Sequence, residues 1–390
     1  SLTASTTYEF RARVEYDSVS NSEWSNTAEG ETQPDDPMFG PYTAMNVGGS
    51  TNTTVVAYKD TTTITLNGSA LTTLNKGQTH TFTSSQFDVI DADKPIFTAG
   101  RKGSNSSSAQ SANVVWNPTA WAGKSFSFNA TRTNPQTLEV FAVEDTTVEV
   151  KQGSTILDSA TITKGSGAIL SWSVYGSYQV EATGSILAFH VSTGSGNLHD
   201  PKPLLPGHTQ IIGFPSKSMV LTTGSNGTNY STFHSDSSSN SGSLNKADDI
   251  TINPEGGNSQ LFQGNSLLIT ADKKISGASF ADSNGLCAAA FMPTNLMKTK
   301  YALPTNSDYI AFASKVSGTI EVRNSANALV TTLTLTRSGG ASSAPYKVRM
   351  ADPLQGYRFI ATVPTAAWYQ PNNYSGASDQ DETVMYGTNE

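Results

Sequence analysis

Five histidines, one cysteine and 32 acidic residues are the side chains through which this 390-residue chain could run acid–base, nucleophilic or metal chemistry. His80, His190, His199, His208 and His234 are scattered, without the close pairing of ligands that a zinc site uses. His199-Asp200 is the one adjacent histidine–carboxylate pair. No nucleophile stands at a recognisable spacing from it, so a solvated loop pair is expected. Cys287 is followed by Ala288-Ala289-Ala290-Phe291 and reads as a small buried hydrophobe; a single cysteine also excludes an internal disulfide framework. The stretches 236–243 and 282–285 have the composition of ion-binding loops but not the spacing of a calcium site, and read as serine-rich turns. Asp60, Asp145 and Asp272 could be offered as catalytic carboxylates, but they fall at equivalent strand ends, where turn chemistry accounts for them. The expectation is therefore a chain without catalytic residues, metal site or cofactor.

The aromatic residues support a different chemistry. Trp116, Trp121, Trp368 and Tyr369 lie near prolines in segments that link repeated units. Flat rings beside Asn, Asp and Gln can stack on sugar rings while amides read the hydroxyls, which makes these four the candidate ligand-binding residues. The alternative is that the same rings pack between sheets or under loops. Trp172 falls within a strand pattern and is expected in the core.

Positioning such residues falls to β-strands. Only 14% of residues are charged, and Ser, Thr, Asn and Gly are abundant, a composition suited to an all-β protein with polar loops. The net charge of −8 argues against nucleic acid or an anionic membrane surface as partner, and no apolar run reaches the length of a membrane span. From Leu138 to Gly194 apolar and polar residues alternate in short runs separated by Glu144–Thr147, Lys151–Gly153 and Lys164-Gly165. Strands are expected at Leu138–Val143, Val148–Val150, Ile156–Ile162, Ala168–Val174, Tyr178–Ala182 and Ile186–Val191.

This pattern recurs. Asp60-Thr61-Thr62 returns as Asp145-Thr146-Thr147, about 85 residues on. Leu74-Asn75-Lys76 returns as Leu244-Asn245-Lys246, and Ala92-Asp93-Lys94 as Ala271-Asp272-Lys273, at about twice that spacing. Thr161–Lys164 is echoed by Thr334–Arg337. Four copies result, starting near Thr54, Leu138, Met219 and Tyr309. The last copy lacks a following strand, and Phe39–Met45 stands unused before the first. Pairing of Phe39–Met45 with Thr383–Tyr386 would close the array. The expected fold is all-β: a closed β-propeller-like ring of antiparallel sheets built from four repeats of about 85 residues. Seven or eight four-stranded blades, or four large ones, would satisfy the strand count; tandem β-sandwiches are the alternative architecture.

Ahead of this array, Leu2–Val14 with Ser22–Asn26 and Glu31–Pro34 resembles the last strands of a fibronectin type III domain, with Tyr8 at its tyrosine corner. That places a fibronectin-like segment at 1–34, a linker at 35–37 and the repetitive domain at 38–390. A strand pair alone is marginal in water, so the resemblance implies further strands upstream of Ser1. In the repetitive domain, Val56–Thr62, Leu74–Gln78 and Ala92–Ile96 resemble the N-terminal domain of IgGFc-binding proteins. The segment 381–387, joined to a fibronectin-like module, resembles structural and fibre proteins of tailed bacteriophage virions. These resemblances imply a non-enzymatic structural or adhesive module of a virion or extracellular fibre. Its expected partners are other fibre subunits and host-surface polysaccharide or protein, with multimerisation and without nucleic acid or membrane insertion. A bacterial surface adhesin or filament subunit, and a glycan-active enzyme on a propeller scaffold, are the competing classes.

Overall fold

The computed structural model describes residues 7–10, 28–31, 42–46, 51–100, 116–118, 121–130, 136–174, 176–194, 197–198, 202–214, 218–246, 249–252, 265–280, 288–371 and 383–390. Among them one short 3-10 turn, Thr294–Leu296, stands among strands. The chain divides into two compact units, Ser1–Pro41 and Tyr42–Glu390. In the first, β1 (Thr7–Phe10) pairs antiparallel with β2 (Ala28–Glu31), with Tyr8 opposite Gly30. The Tyr8 side chain and Trp24 lie outside the described residues.

The second unit consists of four modules of one design. Module 1 holds β3 (Ala44–Asn46), β4 (Thr51–Ala57), β5 (Thr62–Leu66), β6 (Ser69–Leu74), β7 (Thr79–Ser84), β8 (Val89–Ala92) and β9 (Ile96–Gly100), and is followed by β10 (Trp116–Pro118). Module 2 holds β11 (Gly123–Ala130), β12 (Gln136–Ala142), β13 (Thr146–Gln152), β14 (Thr155–Ile162), β15 (Gly167–Trp172) and β16 (Gly176–Gly194). Two short linker strands follow it, β17 (Asn197–Leu198) and β18 (Lys202–Pro203). In module 3 the same places are taken by β19 (His208–Gly213), β20 (Ser218–Thr223), β21 (Thr228–His234), β22 (Ser239–Leu244), β23 (Asp249–Ile252) and β24 (Leu267–Phe280). Linkers β25 (Ala288–Ala290) and β26 (Met292–Pro293) lead to module 4. That module comprises β27 (Lys298–Ala302), β28 (Ser307–Ser314), β29 (Thr319–Arg323), β30 (Leu329–Thr334), β31 (Tyr346–Ala351) and β32 (Arg358–Pro371), and is followed by β33 (Thr383–Met385).

The long sixth strand organises each module. In module 2 its first half, up to Ala182, pairs with β11 and β13, and its second half, from Ile186, pairs with β12. β14 extends the first layer and β15 the second. Modules 3 and 4 repeat this pairing around β24 and β32. The two layers close on a common core: Phe126, Phe128, Val148, Val150 and Val180 from one face Leu138, Val140, Leu170, Trp172 and Ala188 from the other. Strand alternation produces this directly, since in β13 Thr146, Val148 and Val150 point inward while Thr147 points to solvent.

Two corrections to the sequence reading follow. Tyr178–Ala182 and Ile186–Val191 are not separate strands but one, because Thr183-Gly184-Ser185 stays extended. Gly184 is required there, since a Cβ would stand 2.7 Å from the Asp145 carbonyl oxygen. In module 1 the equivalent strand is split into β8 and β9 at Asp93-Lys94-Pro95, where proline has no N–H to give the ladder. The second correction concerns the count: each repeat is one six-stranded, two-layered module, so seven or eight single-sheet blades are not formed. In make-up the modules match the tandem-sandwich alternative. The four expected copy starts coincide with β4, β12, β20 and β28, the second strand of every module.

The modules meet in a cycle. Phe87 lies against Phe141 (ring centroids 6.4 Å apart) between modules 1 and 2. Gln179 Nε2 donates to the Thr223 carbonyl (3.1 Å), and Lys246 pairs with Glu181 (3.3 Å), between modules 2 and 3. Phe214 packs edge-on against Trp368 between modules 3 and 4. Val56, Tyr58 and Phe97 of module 1 share one core with Tyr301, Phe312 and Phe359 of module 4. The strand pairing expected to close the array is absent: β3 pairs with β8 and β10, and β33 pairs with β32. Side-chain packing joins the first module to the last instead.

Modules 1 and 3 are alike in detail, as are 2 and 4. Lys94 Nζ donates to the Asp60 and Thr61 carbonyls, as Lys273 Nζ does to those of Asn226 and Gly227. At the same place modules 2 and 4 use threonine, with Thr147 N donating to Thr183 Oγ1 (2.9 Å) and Thr319 N to Thr362 Oγ1 (3.0 Å). The motifs that recur at about 170–180 residues thus mark a two-module period.

Candidate functional site

The strand-end acids serve turns, as expected. Asp60 Oδ1 accepts from Lys76 N (3.0 Å), Asp145 Oδ1 from Lys164 N (2.8 Å), and Asp272 Oδ1 from Asn229 N (2.8 Å). These bonds hold the Asp272 carboxyl below the usual carboxylate range, the Asn229 side-chain amide contributing most. Asp236 is held down in the same way, chiefly by the Ser238 hydroxyl (2.7 Å), in the stretch read as a serine-rich turn. Among the described residues no group of three His, Cys, Asp or Glu converges on a metal position. His199-Asp200, Cys287 and the stretch 282–285 lie outside them.

The four candidate aromatics are placed as follows. Trp121, Trp368 and Tyr369 are 1%, 0% and 3% exposed, so none lays a ring face open to a sugar. Trp368 is fixed between modules, its Nε1 donating to the Ala290 carbonyl (3.0 Å). Trp121 stands edge-on to Tyr386 (6.1 Å). Trp116 lies in β10, opposite Asn46, and its side chain is outside the described residues. These positions agree with the packing alternative for three of the four.

Tyr369 nevertheless lines a site. A cleft of about 640 Å³ opens where modules 1 and 4 meet. Module 1 contributes Tyr42, Thr43, Ala44 and the run Pro95–Thr98; module 4 and its following strand contribute Pro304, Tyr369, Val384, Met385, Tyr386 and Thr388. Pro95 starts β9 and Pro304 ends the β27–β28 turn, so two rigid rings face the tyrosines. The Tyr42 hydroxyl donates to the Glu390 carboxylate, which also pairs with Lys59 (3.3 Å). Burial raises the pKa of Tyr42, Tyr369 and Tyr386, with Glu390 adding to the rise for Tyr42 and Tyr386. All three phenols therefore stay protonated at neutral pH and remain donors. Tyr42 spends its proton on Glu390. Among the described residues the hydroxyl of Tyr369 has no hydrogen-bond partner, and neither has that of Tyr386.

A second cleft, of about 520 Å³, lies at the junction of modules 2 and 3, against Phe128, Leu204, Pro206, Val220 and Ile275. Leu204 and Pro206 follow module 2 as Met385 and Tyr386 follow module 4, so the two clefts share the two-module period. They differ in one polar group. Leu138 is opposite His190 in module 2 as Ile310 is opposite Tyr369 in module 4, but the His190 ring shares a 2.7 Å hydrogen bond with Gln136. On module 3 an open groove is lined by Asn229, Ser231, Ser241, Ser243, Thr270 and Asp272, a hydroxyl- and amide-rich surface.

Of the cleft residues, sequence reading had singled out only Tyr369. Tyr42 and Tyr386 lay in the segments expected to close the array, and their convergence follows from that closure.

Taken together, fold and site define an all-β array of four two-layered modules with a tyrosine- and proline-lined cleft between the first and last. The sequence model of a family described as IgGFc binding protein matches residues 39–138, which span module 1 and the start of module 2. No curated protein matches the chain. No helix among the described residues is long and apolar enough to cross a membrane.

Proposed function

We propose that this chain is a non-enzymatic binding module of an extracellular or virion fibre that acts by holding protein ligands at the junctions of its β modules. The observation that carries the reading is the match of residues 39–138 to a family described by what it binds. That stretch supplies one whole wall of the cleft, from Tyr42 to Thr98. Placement on a virion fibre draws on the resemblance of 381–387 to virion proteins. A fibre would carry many copies, so modest single-site affinity would be multiplied by avidity. The module 3 groove favours a second reading, a host-surface glycan held by Asn229, Asp272 and the serine hydroxyls around them.

The experiment measures monomeric and multimerised chain against purified immunoglobulin Fc and against a glycan array, with reducing-sugar release followed in parallel. Binding to Fc or a glycan that rises by about 10²–10⁴ on multimerisation supports the module. Sugar release that is lost on removing a carboxylate pair would replace it with an enzyme.

A further inference from the structure

We propose that the cleft between modules 1 and 4 binds an extended, proline-containing peptide segment whose backbone carbonyls accept hydrogen bonds from Tyr369 and Tyr386. The inference rests on the binding-module reading and names the ligand class for one of its sites.

The argument begins with an unused donor. Tyr369 is 3% exposed, lines the cleft, and has a hydroxyl without a partner among the described residues. A buried hydroxyl left unmatched costs free energy, and here the missing partner can only arrive through the cleft. The histidine at the equivalent register of module 2 is matched by Gln136, so the vacancy is particular to this junction. Tyr386, half-buried, offers a second donor at the same mouth.

The ligand must then bring acceptors that it does not use itself. The cleft lining contains no Asn, Gln, Asp or Lys, and its polar atoms are hydroxyls and backbone. A sugar, with hydroxyls that each need an acceptor as well as a donor, would find few planar acceptors here. A polyproline II segment is the better match. Its carbonyls make no internal hydrogen bonds, its rings are apolar, and its backbone is already ordered before binding. Such segments dock on aromatic walls, and Tyr42, Phe97, Tyr369, Tyr386, Pro95 and Pro304 form one.

The test is calorimetric titration of the full chain with an oligoproline peptide, and with a Gly/Ser peptide of equal length. A second readout is intrinsic fluorescence, since Trp121 stands against Tyr386. Oligoproline should bind more tightly than the Gly/Ser control. Tyr369→Phe, which keeps the ring and removes only the donor, should weaken binding about five- to tenfold with an unchanged melting temperature. Tyr386→Ala should weaken it further and abolish the fluorescence change. Oligoproline binding no tighter than the control, or unaffected by both substitutions, overturns the proposal. So does a soluble oligosaccharide whose binding requires the Tyr369 hydroxyl. If Fc or glycan still binds while oligoproline does not, the cleft assignment falls and the binding-module reading stands.

Discussion

Trp368 of module 4 and Ala290, in the strand that leaves module 3, are joined by a hydrogen bond of 3.0 Å from indole Nε1 to the backbone carbonyl. The indole is wholly buried and packs edge-on against Phe214 of module 3. It is therefore a joint between consecutive modules. Trp368→Ala should destabilise the chain by about 3–5 kcal/mol, the range for emptying a buried indole site. Trp368→Phe keeps most of the packing but leaves the Ala290 carbonyl unmatched, so about 1–3 kcal/mol is expected. Urea unfolding of both variants checks the order. Equal costs would mean that the hydrogen bond contributes nothing.

Ile186 and Ile156 give a direct test of strand register in module 2. Ile186 is 0% exposed and lies where β16 passes from one layer to the other; Ile156 is 50% exposed on β14. Ile186→Ala should cost about 2–5 kcal/mol. Ile156→Ala should fall within about 0.5 kcal/mol of the parent. A reversed order would mean that the layers are assigned to the wrong faces.

Glu181 carries the acid dependence of the junction between modules 2 and 3. It takes Lys151 of its own module (2.7 Å) and Lys246 of the next (3.3 Å), and the Lys151 ammonium holds its carboxyl below the ordinary glutamate value. A depressed carboxylate contributes stability above its unfolded pKa, about 4.3, and loses it as pH falls through the lower folded value. Lys151 is raised, mainly by Glu149 and then by Glu181, so its share persists below its unfolded pKa and is lost as pH rises through the folded one. Urea midpoints of the parent and Glu181→Gln should therefore differ at neutral pH and converge in acid. Salt should narrow the gap, since these side chains are partly exposed. Curves that stay parallel down to acid pH would assign the contribution elsewhere.

Much of this fold was legible in the sequence because alternation and turn residues are local signals. Of the apolar residues expected inside, Val56, Val140, Val148, Ile162, Ile186, Ile320 and Leu335 are buried, whereas Leu66, at the end of β5, is only half-buried. The turn Asn67-Gly68, with both residues at positive φ, is the hairpin connection that Asn-Gly specifies. What alternation could not supply was continuity: whether Thr183-Gly184-Ser185 ends a strand or bends it depends on the Asp145 carbonyl, which approaches from another turn. Nor could it separate a ring on a rim from one in a seam. Trp368 and Tyr369 are neighbours on one strand and point opposite ways, one into the joint with module 3, the other into the cleft with module 1.

Closure of the array is the feature least visible in local sequence, and two glycines isolate it. Gly68 and Gly77 have nearly the same backbone conformation, φ +77° and +78°. A Cβ on Gly68 would meet nothing within 4 Å, whereas on Gly77 it would stand 2.9 Å from backbone atoms of Ser325, in module 4. Gly68→Ala therefore carries only the penalty of a left-handed alanine, about 1–2 kcal/mol. Gly77→Ala carries the same penalty and must also push module 4 away, adding about 1–3 kcal/mol as overpacking does. The difference between the two variants in urea reports the packing of module 1 against module 4 with the backbone term cancelled. If it is zero, the first and last modules do not meet in solution, and the cleft between them does not form.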